Sequence, residues 1–294
     1  MPPDRILHID GHRVRVRELG ASQPGPVMLL IHGLGVSGTY MLPLARELAR
    51  HHRVLLPDLP GHGESSTPPA VPDERDHARI VVEVARQLAD GEDVVLVGNS
   101  WGSQIALEAC IAAPEQVVAA VLLGPTVDPR HPSIITHAAR LGLLTFLEPP
   151  RLDLLVLLTY LRTGVLRTIR EFRHAQRHDM LGAARRVRQP VLVADGDLDP
   201  IITNAWVDQL AAALPRSATA SLHDAAHVLN WRPADRVAAA IEAFLTARLG
   251  DTPFMGERRG DTPPEPDVER SAAWALEEPS HRSQRISRTR RPPG

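Results

Sequence analysis

The sequence predicts an α/β fold, a mostly parallel sheet covered by helices on both faces. Two observations carry this. Short apolar runs recur along the chain, and helical patterns separate them. One run, Val94–Val97, passes directly into Gly98-Asn99-Ser100-Trp101-Gly102 and then into a helical pattern. Strands that alternate with helices give a parallel sheet, because each crossover helix must pack back on a face.

The strand candidates are read in order. Ile6–Ile9 and Val14–Arg17 flank Gly11 and read as strand, turn and strand. Val27–Ile31 is apolar throughout, as expected of a strand buried on both faces. His51–Leu56 leads into a fourth strand. Asp93–Val97, Val117–Leu123 and Pro190–Ala194 follow, and Thr219–Leu222 is a weaker candidate. The helical patterns are Tyr40–Arg50, Asp76–Ala89, Ser100–Ala112, Ala205–Leu214 and Ala234–Leu249.

Two stretches break the rhythm. Residues 126–188 are rich in leucine and arginine and too long for a loop, so they read as a helical insertion. From Gly250 prolines, arginines and acids crowd the chain, which predicts a disordered tail over 250–294. The expected division is a core of 1–125 and 189–249, an insertion of 126–188, and that tail.

Composition narrows the function. The chain has 294 residues, is 43% hydrophobic and carries a net charge of -2. That balance does not suggest a nucleic-acid binder. There is no lysine, so imine chemistry on a lysine amine is excluded. The single cysteine, Cys110, lies in an apolar stretch and reads as a buried thiol. No segment has the length and apolarity of a membrane span, and a cytoplasmic protein is expected. No zinc-ligand spacing or Gly-x-Gly-x-x-Gly is present, so no cofactor or metal is expected.

The chemistry concentrates at Ser100. A strand, a Gly-x-Ser-x-Gly turn and a helix make a turn so tight that larger residues at 98 and 102 would collide. The serine projects from the sheet edge, and the helix N-terminus beside it favours developing negative charge. A serine hydroxyl needs a base. Of the fourteen histidines, His227 follows the last strand and precedes the last helix. His223 is its competitor, whereas His8, His12, His51 and His52 read as solvated. Asp199, in Gly196-Asp197-Leu198-Asp199-Pro200 after the Ala194 strand, is favoured over Asp197 to orient the base. Asp128 is a fallback. Backbone N–H groups of Trp101 and of Leu34, in His32-Gly33-Leu34-Gly35, are the expected oxyanion donors.

Taken together with Asp58-Leu59-Pro60-Gly61-His62-Gly63, these motifs resemble the α/β-hydrolase superfamily over residues 5–249. The resemblance implies an eight-stranded sheet and a helical cap, here 126–188, over a Ser100–Asp199–His227 triad. Ser103 departs from the glycine common after the elbow. The implied activity is hydrolysis of a carboxylic ester through an acyl-enzyme, acting on a small molecule with an acyl group. The leucines of 126–188 suggest an apolar substrate portion, and its arginines a carboxylate. Gly98-Asn99-Ser100 is also similar to the elbow of C–C bond hydrolases, and a ligand-binding receptor on this fold is a further alternative. Ser100 argues against dehalogenases and epoxide hydrolases of the fold, which use aspartate there.

Overall fold

The architecture was read from a computed structural model that describes residues 4–23, 25–126, 128, 140, 142–144 and 148–249. The expected tail over 250–294 lies outside the described residues, as does most of 127–147.

Eight strands form one sheet. They are β1 (Asp4–Ile9), β2 (His12–Leu19), β3 (Val27–Ile31), β4 (Val54–Pro57), β5 (Val94–Asn99), β6 (Val117–Leu123), β7 (Val191–Gly196) and β8 (Ser217–Leu222). Their spatial order is β1-β2-β4-β3-β5-β6-β7-β8. β2 runs antiparallel to both its neighbours, and every pairing from β4 to β8 is parallel. All eight predicted strands form, with ends within a few residues of the expected ones.

Helices cover both faces. The first three are α1 (Leu42–Leu48), α2 (Glu74–Leu88) and α3 (Gly102–Ala112). Between β6 and β7 lie α4 (Pro150–Thr163), α5 (Val165–Arg177) and α6 (Met180–Ala184). The last two are α7 (Asn204–Ala213) and α8 (Ala234–Leu249). The predicted helix over 40–50 divides into a 3-10 turn at Gly38–Met41 and α1, because Pro43 pre-sets the first turn of a new helix. Asp73 starts α2 with a capping box, accepting from Arg75 and Asp76 N–H while Asp76 accepts from Asp73 N–H.

The strands show why the apolar runs are continuous. In β3, Val27, Leu29 and Ile31 enter the core beneath α2, α3 and α7, whereas Met28 and Leu30 enter the core beneath α1 and α8. Successive side chains point to opposite faces, and both faces are covered. Such burial contributes about 1.5–3 kcal/mol per large aliphatic side chain. It leaves the carboxyl ends of the parallel strands as the open edge on which loops can build a site.

Candidate functional site

β5 ends at Asn99, α3 begins at Gly102, and the chain reverses within Ser100 and Trp101. Ser100 takes a φ of 54°. That left-handed conformation is costly for a residue with a side chain and persists only where neighbours over-determine it. Here the Ser100 N–H donates to Leu123 O at 2.8 Å, and Ser103 N–H to Ser100 O at 3.0 Å. The two glycines have steric reasons. A Cβ on Gly98 would drive into the Gly102 carbonyl, and one on Gly102 into the Ile31 carbonyl of β3. Ser103 has its own task, for its hydroxyl donates to Gly98 O at 3.0 Å and braces the turn.

The strand ends bring the other predicted residues to this edge. Asp199 follows β7, and His227 lies between β8 and α8. His227 Nδ1 donates to Asp199 Oδ2 at 2.7 Å, and both side chains are buried. Asp199 Oδ1 accepts from Ile201 N–H at 2.7 Å and Ile202 N–H at 3.3 Å. Each oxygen of the carboxylate thus has its donors, and its plane is fixed. With Nδ1 carrying the proton, Nε2 of neutral His227 is an acceptor. Burial alone lowers the His227 pKa, but the Asp199 charge and hydrogen bond, with the Glu148 charge, outweigh it and raise the pKa above the ordinary imidazole value.

The competing pair also forms, but elsewhere. His223 Nδ1 donates to Asp197 Oδ2 at 2.6 Å with the His223 side chain 81% exposed. It does not line the cavity described below. The fallback Asp128 is buried and accepts from the Thr203 hydroxyl at 3.1 Å.

Ser100 and His227 line one cavity of about 380 Å³ together with Leu34, Trp101, Tyr40, Thr126, Glu148 and residues of α4 and α5. That volume suits a small organic molecule. The Ser100 hydroxyl shares a hydrogen bond of 3.2 Å with Thr126. The wall is apolar, with Leu144, Leu152, Val156, Leu157 and Phe172. Gly124 allows the His227 ring to sit close, since a Cβ there would approach Nδ1 to 3.1 Å.

Three sequence expectations need correction. First, no arginine lines the cavity among the described residues, so nothing there matches the expected carboxylate contact. The carboxylates of the 126–188 segment that line it are Glu148 and Asp153. Arg167 instead pairs with buried Glu171 at 2.9 Å, and Arg140 donates to Ile201 O at 3.1 Å. Second, His52 is not solvated. It is buried, and its Nε2 lies 2.9 Å from Glu242. Third, the leucines of α4 divide. Leu157 lines the cavity, whereas Leu154 faces outward at 57% exposure.

Glu148 is the group that sequence reasoning missed. It is buried beside the site, and its Oε1 accepts from Val228 N–H at 3.2 Å, next to His227. Burial pushes its own carboxyl pKa up. No local motif announces it, because its partner is 80 residues away. Behind Trp101, His32, His62 and His77 form a second unannounced cluster, with ring centroids 5.0 Å apart for His32–His62 and His77–Trp101. Burial, with the neighbouring His62, lowers His32 to about 3, so it is a neutral packing group at ordinary pH.

Known proteins are similar to this chain. A 33% identical stretch of 140 residues aligns with epoxide hydrolase 3 of Siraitia grosvenorii, over 45% of this chain and 42% of that protein. Pimeloyl-[acyl-carrier protein] methyl ester esterase of Xanthomonas campestris is 28% identical over 252 residues, covering 76% of this chain and 96% of the esterase. The enol-lactonase of Burkholderia xenovorans LB400 superposes with a TM-score of 0.71 at 21% identity, over 82% of this chain and all of its own. At that identity the superposition speaks for the fold alone. The profile of the Alpha/beta hydrolase family matches residues 28–240, well over half the chain, on the same strands and turns that build the elbow. This chain belongs to the alpha/beta hydrolase family.

Proposed function

We propose that the protein is a serine hydrolase that cleaves a carboxylic ester, or a related acyl bond, through an acyl-enzyme. The observation that carries this reading is the buried 2.7 Å His227–Asp199 pair on the cavity that Ser100 lines. In the proposed mechanism, rotation about χ1 carries the Ser100 hydroxyl from Thr126 to His227 Nε2. The imidazole takes the proton as Ser100 Oγ attacks the substrate carbonyl. Asp199 holds the ring and stabilises the imidazolium. Backbone N–H groups of Trp101 and Leu34 receive the oxyanion. The imidazolium then protonates the leaving alcohol, and water attacks the acyl-enzyme with His227 again as base.

In this reading residues 126–188 are a cap on a core of 1–125 and 189–249. The supporting contacts are the Glu148–Val228 bond and the Thr163 hydroxyl, which donates to Gly35 O at 3.3 Å beside Leu34. The apolar wall and the absence of a lining arginine among the described residues favour an uncharged acyl group. They weigh against the acid substrate of a C–C bond hydrolase. The esterase relative is 28% identical over nearly its whole length, and the epoxide hydrolase match covers less than half of each chain.

Turnover of p-nitrophenyl esters across chain lengths, beside a vinylogous diketone acid, tests the reading. Ester cleavage that disappears in Ser100→Ala is expected, and cleavage of the diketone alone would overturn it. Leu157→Ala should change the chain-length profile more than Leu154→Ala, because Leu157 lines the cavity. One extra methylene changes discrimination by about 1–3 kcal/mol, so a visible shift is expected.

A pH prediction follows from Glu148. The base works when His227 is neutral, so kcat/KM should rise with pH through a midpoint above the ordinary imidazole value of about 6.5. Glu148→Gln keeps an acceptor for Val228 N–H but removes a charge that raises the His227 pKa. The acid limb should therefore move to lower pH. An unmoved or upward-moved limb would contradict the assigned coupling.

A further inference from the structure

Helices α4 and α5 carry two apolar faces. The inner one, with Leu152, Val156 and Tyr160, lines the cavity. The outer one has no packing partner among the described residues. Leu154, Leu157, Leu158 and Leu161 follow i, i+3, i+4, i+7 spacing and are 55–64% exposed. Val165 and Leu166 continue the surface at 61% and 74%. Among the described residues nine large apolar side chains are exposed, and seven of them lie between positions 143 and 166. Such concentration on one face marks an interaction surface rather than scattered exposure.

The charge around it has one sign. Residues 150–177 hold six arginines and two carboxylates, a surplus of four positive charges in a chain whose net charge is -2. Both carboxylates are turned in. Glu171 is fully buried with Arg167, and Asp153 lines the cavity. Arg151, Arg162, Arg170, Arg173 and Arg177 are exposed.

We propose that the outer face of α4–α5 docks on an anionic lipid surface. The leucines enter the boundary of the acyl chains, and the arginines meet phosphate headgroups, the arrangement of an interfacial amphipathic helix. Leu157 belongs to both faces, so the cavity mouth borders the docking surface. An ester dissolved in the lipid therefore reaches Ser100 without crossing water; this clause, unlike the docking, rests on the proposed hydrolase activity. Other occupants fit less well. A second copy, paired about a two-fold axis, would set these arginines against themselves. An acidic protein would satisfy the arginines and leave protruding leucines with no apolar depth to enter.

The test is vesicle flotation with the full chain carrying Ser100→Ala, which separates docking from turnover. Binding to vesicles rich in phosphatidylglycerol should exceed binding to pure phosphatidylcholine by at least about tenfold and weaken with salt. Leu158→Ser, Leu161→Ser and Leu166→Ser together should lower it by at least about tenfold. In an otherwise wild-type chain the same three changes should leave hydrolysis of a soluble p-nitrophenyl ester unchanged, which shows that the variant folds. Equal binding to both vesicles overturns the proposal, as does no binding. Gel filtration that shows a dimer dissolved by the three serines, with no vesicle binding, assigns the face to a second copy instead. Retention on an acidic protein without vesicle binding overturns it equally.

Discussion

Asp199→Asn is expected to lower kcat by on the order of 10⁴-fold while the protein stays folded. The asparagine keeps Oδ1 as acceptor for the Ile201 and Ile202 N–H groups, so the loop after β7 should hold its shape. What changes is the other atom. An amide NH₂ facing His227 Nδ1 demands an acceptor there, and the ring must then carry its proton on Nε2, the nitrogen that receives the Ser100 proton in the proposed mechanism. The charge that raises the His227 pKa is lost as well. Asp197→Asn is the matched control. Its histidine, His223, is 81% exposed, and an exposed pair contributes little, about 0–1 kcal/mol. Steady-state kinetics on both variants checks the contrast. A large loss in Asp197→Asn with little in Asp199→Asn would mean that the two His–Asp pairs have been assigned the wrong way round, and comparable losses in both would contradict the contrast.

Gly102→Ala should damage both stability and activity. The added methyl would meet the Ile31 carbonyl oxygen, His32 O at 2.8 Å and Ile31 C at 3.0 Å, all of them backbone in β3 and the turn after it. Backbone at the centre of a sheet cannot yield as a flexible side chain can. Overpacking of this kind costs about 1–3 kcal/mol, and each kcal/mol lowers Tm by roughly 2–4 °C in a chain of this size. The elbow relaxes by moving Ser100, and a displacement of about 1 Å can lower the rate about 10²-fold. Gly142→Ala, where no described residue lies within 4 Å of the added Cβ, should leave both unchanged. Thermal melts and ester turnover of the two variants are the measurement.

The parts of this molecule that were legible in the sequence are those governed by local physics. Gly98 and Gly102 flank Ser100 because a Cβ has no room at either position, and that constraint is written in five consecutive residues. The central strands β3, β4, β5 and β6 were legible because both faces of the sheet are covered there and nearly every position is apolar. The partners of His227 and His223 were harder, since Asp197 and Asp199 differ by two residues. Only the burial of one pair and the exposure of the other separate them. The order in which β4 and β3 neighbour one another is a tertiary fact without a local signature.

What the sequence hid depends on long-range contact. Glu148 reaches Val228 across 80 positions, and Gln104 of α3 reaches Ala175 O of α5 across 71. Leu154 and Leu157 look alike in a leucine-rich run, yet one faces solvent alone while the other also faces the cavity. Helix α4 is apolar on nearly all sides, so periodicity could not say which side turns inward. His52 looked solvated because its partner, Glu242, sits on the last helix.

The central claim is that Ser100 is the nucleophile and that His227 activates it. Reaction with a fluorophosphonate followed by intact mass and peptide mapping tests it most directly. One adduct per chain is expected, on the peptide that contains Ser100, formed far more slowly in His227→Ala and not at all in Ser100→Ala. An adduct mapped to another residue, or ester turnover retained in an unlabelled Ser100→Ala protein, would contradict it.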